Sequence, residues 1–180
     1  MAFIKKESKT KHIPVEFQDL VTPEDVINLA KKKGIETSPL NVGELAEALG
    51  INTRYEPMPD DKSGTLYKDS SSGKWTMCVN SLHHPHRQRF TIAHEIGHRI
   101  RHAGAQDEFV DEAFFRNGNS NEMEAEANFF AAELLIPEAE FSGLIKKGVT
   151  KVEELCRHFQ VSSMAVRVRA KVLGYKGHNL

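Results

Sequence analysis

The segment RQRFTIAHEIGHRIRH, Arg87 to His102, constrains the fold of this chain more than any other. It places His94, His98 and His102 at intervals of four, with Glu95 directly after the first. Proline is tolerated in a first helical turn and glycine stops a helix, so one helix is expected from His84 and Pro85 to about Ala103, ahead of Gly104. Residues four apart on a helix share one face and lie about 6 Å apart along its axis. His94 and His98 can therefore reach a single ion at zinc-to-nitrogen distances of about 2.0 to 2.1 Å. Glu95 stands beside that face, where it can accept a proton from water held at the ion. The H-E-x-x-H arrangement is an established zinc-protease pattern, and its meaning is carried over from that pattern rather than deduced from the spacing.

Such a helix needs a third ligand from elsewhere in the chain. His102 lies on the same unbroken helix, about 6 Å beyond His98 on the side away from His94, out of reach of a tetrahedral ion held by the other two. Cys78 and Cys156 form neither a Cys-x-x-Cys pair nor a disulfide framework, and each reads as a small buried apolar residue. A carboxylate is left. In NSNEMEAEANFFAAELLIP, Asn119 can cap a helix of about 16 residues, with Glu122 three positions on and Pro137 closing it. Met123, Ala127, Phe130 and Leu134 make a stripe for burial. Phe129, Ala131, Ala132 and Leu135 add apolar surface, so the helix is expected to be largely enclosed. A carboxylate there is unfavourable unless paired or metal-bound, which selects Glu124 as third ligand. Asn128, one turn on, can hydrogen-bond the far nitrogen of a ligating histidine. Glu122 and Glu126 compete with Glu124 and read as solvated or capping carboxylates.

The rest of the chain supplies a scaffold. TPEDVINLAKKKGI reads as a helix with Thr22 as cap, Pro23 at the first helical position, Asp25 in the capping-box place and Gly34 as the stop. A second helix fits NVGELAEALGI and ends at Gly50. The alternating runs TRYEPM, GTLYKD and KWTMCVN, separated by the turn-forming PDDKS and SSSG, predict a small antiparallel three-stranded sheet. ESKTKHIP near the start reads as a loose arm. Pro85 and the helix start argue against a second metal site at His83, His84 and His86, and Trp75 and Tyr67 read as packing residues. With 180 residues, 39% hydrophobic and 27% charged, the chain is expected to form one α+β domain, mainly helical. No window approaches the roughly 18 apolar residues of a membrane span, and the N-terminal stretch lacks the apolar core of a secretory signal. The expectation is a cytoplasmic protein with no membrane partner.

Charge is unevenly distributed. Ten acidic residues stand against the single Arg116 between Asp107 and Glu140, and eight lysines or arginines against two glutamates between Ser142 and Leu180. In the basic part, KVEELCRHFQVSSMAVRVRAKVLG has the rhythm of a helix-turn-helix with Ser162 capping its second helix. Arg167, Arg169 and Lys171 could meet nucleic acid. The apolar residues at 164, 166, 168, 172 and 173 instead favour a helical pair docked on the core or gripping a protein partner.

RQRFTIAHEIGHRIRH followed by EMEAEANFFAAELLIP resembles the signature pair of the ImmA/IrrE metallopeptidases. That signature is an Arg-Phe-Thr-x-Ala-His-Glu-x-Gly-His helix and then Glu-x-x-Ala-Asn-x-Phe-Ala. The likeness extends more weakly over most of residues 40 to 175. It implies a zincin-like peptidase domain over residues 1–141, with the basic helical segment 142–180 packed on it. It also implies one zinc ion on His94, His98 and Glu124, with Glu95 as general base. The implied partner is a protein substrate, a transcriptional repressor with a helix-turn-helix head. Longer relatives add a C-terminal sensor domain for which this chain is too short. His102, Tyr67 and Tyr55 are candidates for stabilising the tetrahedral oxyanion. Substrate is expected as an added strand on a sheet edge, with Lys74 to Asn80 near that edge. The alternative reading is a non-catalytic DNA- or repressor-binding regulator with a structural zinc site. A structural site closes with four protein ligands, whereas three good ones and a placed glutamate favour the enzyme.

Overall fold

The computed structural model describes residues 19–104, 107–112 and 122–176. Helix α1, Pro23–Lys32, starts as the sequence predicts. Thr22 accepts from the Asp25 backbone N–H while the Asp25 carboxylate accepts from the Thr22 backbone N–H. Beyond its end Gly34 takes a positive φ of 72°. Helix α2, Val42–Ala48, is capped by Asn41, and Gly50 at φ 70° turns the chain into the sheet. The expected arm at residues 7–14 and the expected cap Asn119 lie outside the described residues.

The sheet departs from expectation. Strands β1 (Ile51–Glu56), β2 (Lys62–Lys68), β3 (Trp75–Asn80) and β4 (Glu108–Glu112) form one four-stranded sheet in the order β1-β3-β2-β4. The pairs β2/β3 and β2/β4 are antiparallel, but β1 lies parallel to β3, so the sheet is mixed rather than a three-stranded antiparallel meander. Alternation reveals which face a residue occupies, not which strand lies beside it. The five residues of β4 sit in the acidic run, where flanking carboxylates mask their pattern. As an interior strand β3 is buried along its whole length. At its end Asn80 ties down the β1–β2 connection, donating to the carbonyls of Met58, Pro59 and Lys62 at 3.2, 3.2 and 2.8 Å.

Helix α3, Pro85–Arg101, is capped by His84 and crosses the sheet, and α4, Glu122–Leu135, packs along it. Ala127, Phe130 and Leu134 of the expected stripe are buried and Met123 partly so. Phe129 is 51% exposed, so α4 keeps an open side and is less enclosed than its composition implies. Helices α5 (Glu138–Lys146), α6 (Val152–Phe159) and α7 (Ser163–Val172) complete the fold. The expected boundary between residues 141 and 142 falls inside α5, where Phe141 stacks on Phe159 with ring centres 6.2 Å apart. Arg89 of α3 donates to the carbonyl of Gln160, the left-handed residue between α6 and α7. On α7 the sequence reading holds in part: Val166 is buried and Leu173 packs against the core, but the other apolar residues do not. Met164, Val168 and Val172 are exposed, while Arg169 is 2% exposed, its Nε donating to the Ile136 carbonyl and its Nη2 to Glu133, both at 3.1 Å. The inward face of α7 thus carries Val166, Arg169, Ala170 and Leu173, one cation among apolar neighbours. Among the described residues no helix is long and apolar enough to cross a membrane.

Candidate metal centre

Nine consecutive residues of α3, Thr91 to Arg99, are buried, which puts His94 and His98 one turn apart inside the molecule. Their Nε2 atoms face each other at 2.9 Å. From α4, Glu124 brings Oε2 to 3.2 Å from His94 Nε2 and Oε1 to 3.2 Å from His98 Nε2. The three side chains form a group able to hold a metal ion, with all ligand atoms within 4.8 Å of one another. Two zinc bonds of about 2.05 Å at a tetrahedral angle hold their ligand atoms about 3.3 Å apart, so the observed spacing suits that ion.

The chemistry of the donors agrees. His94 Nδ1 is 3.1 Å from Asn128 Oδ1, an oxygen that only accepts, so Nδ1 carries the proton and Nε2 keeps its lone pair. Burial pushes the His94 imidazole down to about 4, against the opposing pull of Glu124, which keeps the ring neutral as a ligand must be. Burial acts to raise the Glu124 carboxyl, but contacts with His94 and His98 more than reverse this and hold it below the usual carboxylate range. A lone pair and an ionised carboxylate thus converge on one point, an arrangement suited to a cation.

Glue between helix and sheet comes from two glycines that the sequence reading passed over. A β-carbon on Gly64 of β2 would lie 2.6 Å from Thr91 Cγ2, 2.9 Å from the Cys78 carbonyl and 3.3 Å from Glu95 Oε1. Gly64 therefore lets β2 lie directly against α3 at the fully buried Glu95. A β-carbon on Gly97 would lie 3.3 Å from Ala127 Cα, the close approach that lets Glu124 reach the histidines.

The sequence profile of the Peptidase_M78 family, the IrrE N-terminal-like domain, matches residues 46–171, well over half of the chain. The chain belongs to this family. No curated protein matches this IrrE N-terminal-like chain. Among solved structures it is similar to a Mycobacterium tuberculosis transcriptional regulator, with a TM-score of 0.54 and 18% identity over 83% of this chain and 46% of that one. The likeness is one of fold, and the chain spans less than half the length of that regulator.

In this IrrE N-terminal-like domain the other expected site residues scatter. His102 lies behind His98 and bonds it through Nδ1, away from the side on which His94 and Glu124 converge. Glu126 meets His102 and Arg101 rather than solvent alone. Tyr55 stands exposed on the edge strand β1, and Tyr67 lies on β2 opposite Thr76 and Glu108. Lys74 to Asn80 is not near an edge, because β3 pairs on both sides; the edges are β1 and β4. From β4, Phe109 stacks on His98 with ring centres 4.5 Å apart and planes at 25°. The run EFVDE, with its two apolar residues adjacent and flanked by acids, carried no alternation to signal it.

Proposed function

We propose that this chain is a zinc-dependent endopeptidase in which His94, His98 and Glu124 hold the ion and Glu95 is the general base. The observation that carries the reading is the convergence of two imidazole Nε2 atoms and one carboxylate, at 2.9 to 3.2 Å, on the helix that carries the buried Glu95. Zinc, when bound, supplies Lewis acidity that polarises a peptide carbonyl and acidifies water. The protein's own part is to keep the His94 ring neutral through burial, to fix its tautomer through Asn128, and to hold a proton acceptor ready. Glu95 accepts the proton of the attacking water at its carboxylate and passes it to the leaving amide nitrogen. Burial of Glu95 supports this role by keeping the carboxylate out of bulk water.

The substrate fits as a transcriptional regulator that this peptidase cuts at a selected site. This rests on the family membership and on the motif resemblance. Zinc analysis and a cleavage assay on the product of the neighbouring gene, as candidate substrate, test it together. Wild-type protein carries close to one zinc, Glu124→Ala loses it, and Glu95→Gln keeps it while cleavage falls by at least about 10²-fold. Undiminished cleavage by Glu95→Gln removes that residue from the mechanism. Loss of zinc without loss of cleavage removes the metal.

A further inference from the structure

His102 is the one histidine of the opening motif that the ligand group leaves out, yet it is only 6% exposed and both of its nitrogens have partners. Its Nδ1 lies 3.0 Å from His98 Nδ1, and its Nε2 lies 3.1 Å from Glu126 Oε2. An ionised carboxylate accepts and cannot donate, so the proton of a neutral His102 sits on Nε2. Nδ1 of His102 is then the acceptor, and the proton between the two Nδ1 atoms belongs to His98. That leaves His98 Nε2 with its lone pair aimed at His94 Nε2 and Glu124. Arg101 Nη2, 3.6 Å from Glu126 Oε2, holds the carboxylate in place. Phe109 covers both rings, its centre 4.5 Å from that of His98 and 6.2 Å from that of His102. On the other histidine the equivalent task falls to Asn128, a single neutral amide. The two ligands are therefore oriented by unlike means, one by an amide and the other by a charged chain that reaches the surface at the half-exposed Glu126.

We propose that Glu126 and His102 are positioning residues for the metal centre, Glu126 fixing the tautomer of His102 and His102 fixing that of His98. The proposal rests on the reading of His94, His98 and Glu124 as ligands. Outer partners of metal-bound histidines contribute roughly 10- to 100-fold in metal affinity.

The full chain is titrated with zinc alone against a chromophoric chelator. His102→Phe keeps a ring against Phe109 but has no nitrogen, and it weakens zinc binding by about 10- to 100-fold. Glu126→Ala, a change at the surface that leaves the core intact, weakens binding in the wild-type background and adds nothing in the His102→Phe background. His102→Gln, whose amide oxygen can accept from His98 Nδ1–H, recovers part of the loss. Nitrogen-15 NMR of the histidines in metal-free protein gives a second readout. His98 is in the Nδ1–H form in the wild type and becomes a mixture of both forms in Glu126→Ala. An unmoved zinc affinity, additive losses in the double variant, or an unmoved His98 tautomer each overturns the proposal. Wild-type protein that binds no zinc, or binds it equally after His94→Ala, refutes the metal reading instead, and the tautomer readout then decides the relay by itself.

Discussion

Gly97 of α3 and Ala127 of α4 meet so closely that a β-carbon at position 97 would stand 3.3 Å from both the Cα and the carbonyl oxygen of Ala127. The same β-carbon would be 3.3 Å from Phe130 Cβ. Backbone, not a flexible side chain, sets this separation. It also sets the distance from Glu124, one turn before Ala127, to His94 and His98.

Gly97→Val is expected to push α4 outward, lowering stability by about 1 to 3 kcal/mol as overpacking does. Zinc retention falls with it, because the carboxylate moves away from both nitrogens. Chelator titration beside thermal unfolding checks this; a variant with wild-type zinc affinity would show that the helix contact does not place the ligand.

Gly64→Ala adds a methyl where Thr91 Cγ2 and the Cys78 carbonyl leave no room. Destabilisation of about 1 to 3 kcal/mol is expected, read as a lower denaturation midpoint at unchanged slope. Peptidase activity drops more steeply than stability, since the added atom presses on Glu95. Equal activity per folded molecule would break the link between Gly64 and Glu95.

The metal-free protein loses stability as pH falls below neutrality. His94 has its ordinary value of 6.5 when unfolded and about 4 when folded, so the unfolded state binds the extra proton between those limits. Stability is fully present above 6.5 and is lost progressively toward 4. The contribution of His94 to that loss is on the order of 1 kcal/mol by pH 5.5. His83 and His102, also lowered chiefly by burial, act in the same direction. Denaturant unfolding in chelator at pH 7.5 and 5.5 measures the loss, and His94→Asn should shrink it; a difference of the opposite sign contradicts the assignment.

Arg169→Met removes two hydrogen bonds at a buried site, and a loss of about 2 kcal/mol is expected. Arg167→Glu and Lys171→Glu, on the exposed face, shift stability by less than about 0.5 kcal/mol. With Arg169 turned inward, α7 offers duplex DNA few cations, and mobility shifts at two salt concentrations are expected to show no tight binding. Salt-sensitive binding abolished by the Arg167 and Lys171 reversals would establish a nucleic-acid contact.

Features written in adjacent residues were the legible ones. Thr22 with Asp25, and His84 with Pro85, mark helix starts because a cap acts within one turn. The spacing of His94 and His98 determines a shared face before any tertiary contact exists. Glu124 was picked out by the penalty on a carboxylate inside an apolar helix; α4 does bring it to the two histidines, but from a part-exposed position. What the sequence concealed depends on distant partners. The parallel pairing of β1 with β3 is set by a crossover through β2. Arg169 is buried because Glu133 and the Ile136 carbonyl wait for it, and no residue near position 169 announces them. Glu126 looked solvated because His102, its partner, is 24 positions away.

The unbroken burial of Thr91 to Arg99 has a kinetic meaning. Amides on such a segment have no solvent-facing turn from which to fray, so their exchange with deuterium is expected to be among the slowest in the molecule, near the global limit. The backbone that carries His94 and His98 is therefore expected to open about as rarely as the molecule unfolds. Weakening the core at a distant point, at Phe141 or Phe159, would shorten the lifetime of the ligand helix as surely as a change beside it.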